Sequence, residues 1–280
     1  MKRIFIIIPF LFVFLQTKAT GQMGDKISLN GEIWELLAKP INMDPILYKQ
    51  LREFLPQNRC TSTANWDGYT AFWEILDNYL CLQQIEICVY DEASNKDSTL
   101  IYDAESLQSL FAPYCSNGRI QARWISGELR AGKGNLVRYV HMGFERNMET
   151  EQVLDIENGK LRKATTYHNY KKSGLNLMKA QDEIIRRFPW KRFPEYKDQR
   201  IIFMINNFQI TDDGHFQDCK VSAIFIRPSR ERTEDGNHPL ATALKETLKS
   251  IYPWEILFIN GQHTSEHSNL SIVLWEKDSP

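Results

Sequence analysis

The sequence lacks the features that mark a membrane-spanning or nucleic-acid-binding protein. A membrane-spanning helix needs about 20 apolar residues, whereas the N-terminal apolar run from Ile4 to Leu15 is shorter and is broken by Pro9. Basic and acidic residues also balance, with 34 Lys and Arg against 35 Asp and Glu. Because affinity for nucleic acid comes largely from a basic surface, we expect no nucleic-acid partner.

The sequence also lacks the common fingerprints of catalysis and cofactor binding. It contains no GxGxxG or GxxxxGK phosphate-binding loop, no GxSxG nucleophile elbow and no HExxH metal-binding helix. None of its five cysteines forms a CxxC pair, the spacing typical of zinc and redox sites. We therefore expect no cofactor and no metal site, and these absences favour a binding protein over an enzyme.

The N-terminus has the pattern of a cleavable secretory signal. Lys2 and Arg3 form a positive segment, Ile4 to Leu15 form a short apolar segment, and small and polar residues follow as far as Gly21. This order is typical of a signal peptide, which we predict at residues 1–21. The mature chain would then be exported, periplasmic or secreted, with no stable membrane anchor after cleavage; an uncleaved signal anchor is the alternative.

Export would bring the cysteines into an oxidising compartment, where disulfides form. Five is an odd number, so at least one thiol stays free unless it pairs between chains. Cys81 and Cys88 lie on one predicted strand, about 23 Å apart and on opposite faces, and cannot pair with each other. A Cys60–Cys115 bridge is one connectivity that the sequence allows. Five small buried thiols are the other interpretation.

The first half, residues 22–170, is predicted to be a strand-rich antiparallel domain of unknown function. Asp44 caps a predicted helix that reaches about Leu55, where Pro56 ends it. The short turns that follow, above all Asn158-Gly159, favour hairpins over βαβ units. The predicted strands are 31–37, 70–76, 80–90, 99–102, 120–129, 137–144, 152–156 and 160–167, with a helix at 104–111 and a turn at 132–134.

The second half has a different pattern, and the whole chain is therefore predicted to be of the α+β class. Residues 171–196 look like a helical, proline-broken connection, and residues 197–280 form a small β-β-α-β-β unit. A sheet with one helix across its face would bury both apolar surfaces, so this unit could fold alone. Its predicted elements are strands at 201–210 and 216–226, a helix at 239–251, and strands at 254–259 and 270–275.

This second unit resembles the C-terminal domain of TonB-type proteins. The resemblance is carried by the Asp213-Gly214 turn followed by Val221, the helix through Leu240 to Leu248, and Trp254 followed by Asn260-Gly261. In that family the domain is a binding module whose exposed sheet edge receives an extended strand from an outer-membrane transporter. Such β-augmentation takes its affinity from main-chain hydrogen bonds.

The sequence departs from the TonB pattern in ways that bear on function. The family usually has a proline just after the tryptophan, whereas Pro253 precedes Trp254 here. A TonB energy transducer also has a lasting membrane anchor and a proline-rich spacer, and this chain has a short signal and a strand-rich half instead. The resemblance therefore implies a binding domain without the energy-transducing role.

The resemblance also implies where a partner would bind. We expect an envelope protein or an extended peptide to pair with the edge of the last sheet through main-chain groups. The predicted contact residues are Leu270, Ser271, Ile272, Val273, Leu274 and Trp275.

A second interpretation places a carbohydrate site in the first half. The densest group of aromatic and acidic residues contains Trp66, Asp67, Tyr69 and Glu74, and Glu128 lies on a later predicted strand. Paired carboxylates beside aromatic rings would suit an exported carbohydrate-binding protein or a glycosidase-like enzyme. The simpler interpretation is a tryptophan-rich core with hydrogen-bonded polar neighbours. A third interpretation is an inhibitor or immunity-type protein, for which only the size of the chain and the predicted export speak.

Overall fold

A computed structural model describes residues 21–91, 95–139, 143–264 and 270–276. The protein is α+β, as predicted, and its described residues form two compact units. The first unit comprises the described residues up to 126 together with 139–146 and 157–160, and the second comprises 127–138, 147–156 and those from 161 onward. Among the described residues, no helix has the length and apolar character needed to cross a membrane. The predicted signal segment lies outside them except for Gly21.

The first unit is built on a mostly antiparallel sheet. Its strands lie in the order β2-β1-β3-β4-β7-β6, with β5 also on β4; β1 pairs with β3 in parallel and the other pairs are antiparallel. Its elements are β1 (Asp25–Leu29), β2 (Glu32–Leu36), α1 (Pro45–Phe54), β3 (Tyr69–Leu76), β4 (Tyr79–Asp91), β5 (Lys96–Asp103), α2 (Ala104–Leu107), β6 (Cys115–Ser116) and β7 (Arg119–Gln121).

The predicted first helix is confirmed, and its start has a local cause. The Asp44 carboxylate accepts hydrogen bonds from the main-chain N–H groups of Ile46 and Leu47 at 2.8 and 3.0 Å, which satisfies donors that the first turn leaves without partners. On this helix Leu47 and Leu51 are buried, whereas Ile46 is 70% exposed.

The second unit contains a hairpin and two further sheets. Strands β8 and β9 pair antiparallel with each other, and β10 lies beside β9. The two further sheets have the strand orders β14-β13-β12-β17 and β11-β15-β16. Its elements are β8 (Gly127–Arg138), β9 (Asn147–Glu157), β10 (Lys160–His168), β11 (Tyr170–Lys172), α3 (Gln181–Arg187), β12 (Arg200–Ile210), β13 (Phe216–Arg227), β14 (Arg232–Thr233), α4 (Pro239–Lys249), β15 (Ile256–Ile259), β16 (Gln262–Thr264) and β17 (Leu270–Leu274).

The predicted turn at residues 132–134 is wrong, because these residues lie inside β8. The β8–β9 register shifts between Lys133 and Leu136, and Gly134 has φ +86°, so the glycines mark a β-bulge rather than a chain reversal. The strand predicted at 120–129 is divided between β7 and β8. The strand predicted at 137–144 is only the end of β8, and residues 140–142 lie outside the described part.

The two units divide differently from the predicted domains 22–170, 171–196 and 197–280. Strands β8, β9 and most of β10 group with the C-terminal residues. The predicted connection, 171–196, contains β11, α3 and three short 3-10 turns. Helix α3 contributes Ile184 and Ile185, both almost fully buried, to the C-terminal core, so this segment is part of a packed unit.

The C-terminal elements appear in the predicted order but not in a single sheet. Strands β12, β13 and β17 share one sheet, and α4 packs against β13. Strand β15, predicted at 254–259, instead pairs with β11 and with β16, to which the Asn260-Gly261 turn connects it. This turn has φ values of +53° and +73°, as a tight hairpin requires.

Candidate binding site

The last strand, β17, lies at one edge of the four-stranded sheet. It pairs antiparallel with β12, from Ile201 opposite Leu274 to Ile205 opposite Leu270. Within the described ranges β17 has no second partner strand. An edge strand has a row of main-chain N–H and C=O groups without a strand partner, and five of the six predicted contact residues, 270–274, lie on this strand.

The side chains of β17 alternate between the core and the other face of the sheet. Ile272 and Leu274 are 5% and 0% exposed, whereas Ser271 is exposed and Val273 is half-buried. The two buried side chains anchor the strand against the apolar core. An incoming peptide would therefore meet a strand that is already ordered, which lowers the entropic cost of binding.

Trp275 marks the C-terminal end of this edge. Its ring lies under the guanidinium of Arg200, 4.6 Å from the ring centroid. Arg200 begins β12, so this cation–π contact joins the first residue of β12 to the residue that follows β17. Trp275 is half-buried.

The opposite edge of the same sheet is covered in part by the short strand β14. Strand β14 has only two residues and pairs with Ile224 and Phe225 of β13. The Arg232 guanidinium of β14 lies 5.4 Å from the Phe225 ring centroid. A charged side chain and a very short edge strand are common ways of blocking edge pairing, and β14 blocks the part of β13 with which it pairs.

Gly214 and Trp254 contact each other in the core of this unit. The Trp254 main-chain N–H donates to the Gly214 carbonyl at 3.0 Å. The Trp254 side chain is 1% exposed, and its indole N–H donates to the Leu248 carbonyl at 3.2 Å. Gly214 has φ +95°, and a Cβ there would lie 3.1 Å from the Trp254 carbonyl oxygen. The turn after β12 therefore needs glycine in order to pack against the tryptophan.

In the first unit, Asp67 and Tyr69 of the alternative site belong to a hydrogen-bonded network. The Tyr48 hydroxyl and the Asn42 amide each donate to a different oxygen of the Asp67 carboxylate, both at 2.7 Å. Tyr69 is 1% exposed, and its ring centroid lies 4.1 Å from the Lys39 ammonium. Because both Asp67 oxygens already accept hydrogen bonds, this carboxylate ties the loop before β3 to α1.

The other residues of the alternative site do not join this network. Trp66 is 69% exposed. Glu74 is half-buried, and it lies five residues beyond Tyr69 on β3, a distance of about 17 Å along an extended strand. Glycosidase carboxylates lie roughly 5 to 10 Å apart, so Glu74 is too far along the strand to act with the Asp67 group. Glu128 is exposed and is the second residue of β8, in the second unit.

Next to this network the structure buries an ion pair that the sequence analysis missed. Asp25 and Lys39 are 0% and 5% exposed, with 3.7 Å between the ammonium and the carboxylate. Asp25 also accepts hydrogen bonds from the Ala71 main chain at 3.1 Å and the Trp73 indole at 3.0 Å. Burial raises the pKa of Asp25 to about 6, against the opposing effects of Lys39 and these hydrogen bonds. Burial also lowers the pKa of Lys39.

A second group missed by the sequence analysis contains Cys60, Cys88 and Asp97. Their sulfur and carboxylate atoms all lie within 4.8 Å of one another. The sequence-allowed Cys60–Cys115 bridge is not formed, because Cys60 lies beside Cys88 and the Cys115 thiol donates to the Phe111 carbonyl. All five cysteines are free thiols in this structure. No sequence motif marks this group, because strand pairing and not sequence spacing brings its members together.

One shallow depression, of about 430 Å³, lies along α1. Its lining combines aromatic, amide and charged groups, and the Lys49 ammonium and Glu53 carboxylate in it lie 3.9 Å apart. Both side chains are largely exposed, so this ion pair is weak. The lining residues are Tyr48, Lys49, Arg52, Glu53 and Gln57.

Comparison with known proteins adds no relative to this picture. No family model, no curated protein and no solved structure matches the chain.

Proposed function

We propose that this chain is an exported binding protein that captures an extended peptide segment of an envelope protein by strand addition at β17. One observation carries the proposal: within the described residues β17 pairs on one side only, and its apolar side chains hold it firmly against the core. An added strand would hydrogen-bond to main-chain groups between Leu270 and Trp275. Side chains at Ser271 and Val273 would then select among peptides.

The resemblance to the TonB C-terminal domain supports this proposal. The long β12–β13 hairpin, the helix α4 packed on it and the final strand β17 on the outer side of β12 suit a strand-accepting module. The signal predicted at residues 1–21 would deliver this module beyond the cytoplasm without a lasting anchor. The proposed role is therefore capture of a partner, with no transfer of energy across a membrane.

Strand addition can be tested with a library of random 12-residue peptides displayed on phage and selected on the purified chain. Amide hydrogen exchange would then be measured with and without a selected peptide. Because alternate residues of a strand point their main-chain groups to the same side, we expect every second amide of β17 to become protected. Protection confined to other elements would refute the proposal.

A matched pair of peptides makes the same test independent of side chains. A methyl group on a peptide nitrogen removes a hydrogen-bond donor and leaves the side chain in place. We expect N-methylation at alternate positions to abolish binding in one register and to leave it nearly unchanged in the other. Binding that is nearly unchanged in both registers would argue for side-chain recognition instead.

A second function, carbohydrate binding, is favoured by the exposure of Trp66, whose side chain is 69% accessible. An exposed indole offers a flat apolar face on which a sugar ring can stack. Titration with a panel of oligosaccharides, followed by tryptophan fluorescence, tests this function. Binding that survives in Trp66→Ala would exclude this residue as the stacking platform.

A further inference from the structure

Cys60 and Cys88 face each other across a short strand pairing at the end of β4. Residues Arg59 and Val89 form an antiparallel bridge, and the Cys60 main-chain N–H donates to the Cys88 carbonyl at 2.7 Å. Residues directly opposite in an antiparallel pair have Cα atoms roughly 4.5 to 5.5 Å apart. That separation lies within the range that a disulfide spans.

Both thiols lie on the same side of the sheet. Val89 is buried, so the neighbouring Cys88 side chain points to the opposite, more accessible face, where Cys60 is also only half-buried. Asp97 of β5 completes the group, with one carboxylate oxygen 3.7 Å from the Cys60 sulfur. All three side-chain donor atoms lie within 4.8 Å of one another.

We infer that Cys60 and Cys88 form a redox-active pair that closes to an intramolecular disulfide. Two other cysteines of the first unit do not compete for these positions. Cys81 is fully buried lower on β4, about 23 Å along the strand from Cys88. The Cys115 thiol donates to main-chain carbonyls near α2.

The oxidation requires a small-molecule disulfide such as oxidised glutathione. One protein thiolate attacks a sulfur of the oxidant, forms a mixed disulfide and releases one glutathione thiolate. The second protein thiolate then attacks the protein sulfur of that mixed disulfide, forms the Cys60–Cys88 bond and releases the second glutathione. The two protein thiols lose two protons and two electrons, and the oxidant is reduced to two thiols.

The surroundings of Cys60 disfavour its thiolate form. The adjacent Cys88 thiol, burial and the negative charge of Asp97 raise the pKa of Cys60 to about 11. Because the thiolate is the attacking species, we expect attack by Cys60 to be slow at neutral pH and faster near pH 9. The bond would tether the segment between α1 and β3, which carries Trp66 and Asp67, to β4.

A metal ion is the other ligand that such a group could hold, and the donor count argues against a structural zinc site. Structural zinc sites take four protein ligands, mostly Cys and His, and this group offers three, one of them a carboxylate.

The inferred disulfide does not depend on strand addition at β17, so either proposal can fail without the other.

The test is oxidation of the purified chain by oxidised glutathione at pH 9, followed by alkylation and peptide mass spectrometry. We expect a cross-linked peptide pair containing Cys60 and Cys88, with a mass loss of two hydrogens. The pair should vanish in Cys60→Ser and in Cys88→Ser and persist in the control Cys115→Ser. Circular dichroism would establish that each variant is folded.

Three outcomes would overturn the inference. The first is a cross-link that persists in Cys60→Ser, since another pair would then be responsible. The second is a stable glutathione adduct on Cys60 or Cys88 with no intramolecular bond. The third is one equivalent of zinc that co-purifies with the chain, protects both thiols and is lost in Cys60→Ser.

Discussion

The core of the first unit and the C-terminal core bury their residues by different means. The first includes an ion pair, Asp25 and Lys39, whose side chains are almost completely removed from solvent. In the described residues from 180 to 274, the only fully buried polar side chain is Thr247, which donates to the Ala243 carbonyl at 2.8 Å. The remainder of that core is apolar and is centred on α4 and Trp254.

Because of this difference, we expect different substitutions to lower the stability of each core. Apolar burial stabilises in proportion to area and depends little on pH. A buried ion pair has a large desolvation cost, which is offset only while both partners and their hydrogen bonds are present. The C-terminal core should therefore respond to changes in volume, and the first core should respond to the loss of a charge.

The largest expected effect is truncation of the apolar core at Trp254. Trp254→Ala removes a side chain that is 1% exposed and contacts Phe208, with ring centroids 5.1 Å apart. We expect a loss of about 4 kcal/mol in the free energy of unfolding, equal at pH 5 and pH 8 and measured by urea denaturation. Trp66→Ala, at an exposed tryptophan, is the control and should change stability by less than about 0.5 kcal/mol. A strong pH dependence of the Trp254 effect would contradict the comparison.

The next effect is expected from removing one charge of the buried pair. Lys39→Met leaves the Asp25 carboxylate buried without its counter-ion, and we expect a loss of about 3 kcal/mol at pH 8. The loss should shrink towards pH 5, because Asp25 can then take a proton. Lys49→Met is the matched control: Lys49 is 78% exposed and pairs with Glu53 at 3.9 Å, a contact that contributes less than about 0.5 kcal/mol. Equal losses of stability for Lys39→Met and Lys49→Met would show that burial of the ion pair does not determine its contribution to stability.

The protonation of Asp25 should itself appear in the pH dependence of stability. Its pKa is about 6 in the folded chain and 3.8 for an ordinary aspartate, so between these values the folded state binds the proton more tightly. Stability from this group is therefore fully present below about pH 4 and is lost as pH rises through 6. The total change is about 3 kcal/mol, since one pKa unit corresponds to 1.36 kcal/mol.

Chemical denaturation from pH 4 to pH 8 measures this change as the difference between the native chain and Asp25→Asn. The native chain should lose stability relative to the variant as pH rises. Parallel stability curves for the two proteins would contradict the raised pKa.

The sequence predicted those features that short segments determine. The Asp44 cap fixes the start of α1, and the Asn260-Gly261 turn forms because asparagine and glycine tolerate positive φ. The predicted α4 and the strands on either side of the Asp213-Gly214 turn are also present. In each case the deciding interactions lie within a few residues along the chain.

Features that arise from long-range pairing could not be predicted in this way. In the sequence, Gly132 and Gly134 suggested a turn. In the structure, Met148 of β9 lies against Gly132 and leaves no room for a Cβ there. This long-range contact cannot be recognised from the neighbouring residues in the sequence. The Asp25–Lys39 pair is formed by segments on either side of β2. Cys60 and Cys88 meet through strand pairing, so no spacing rule could identify them.

The smallest expected effect comes from removing the one buried polar side chain of the C-terminal core. Thr247→Val keeps the shape of the side chain and removes the hydroxyl that bonds to the Ala243 carbonyl. Because that carbonyl can still accept the Thr247 main-chain N–H in the helix, no buried group loses its last partner, and a net hydrogen bond contributes only about 1 kcal/mol. We therefore expect a change within about 1 kcal/mol at every pH, measured by urea denaturation. A loss as large as that of Lys39→Met would mean that this core, too, depends on a buried polar contact.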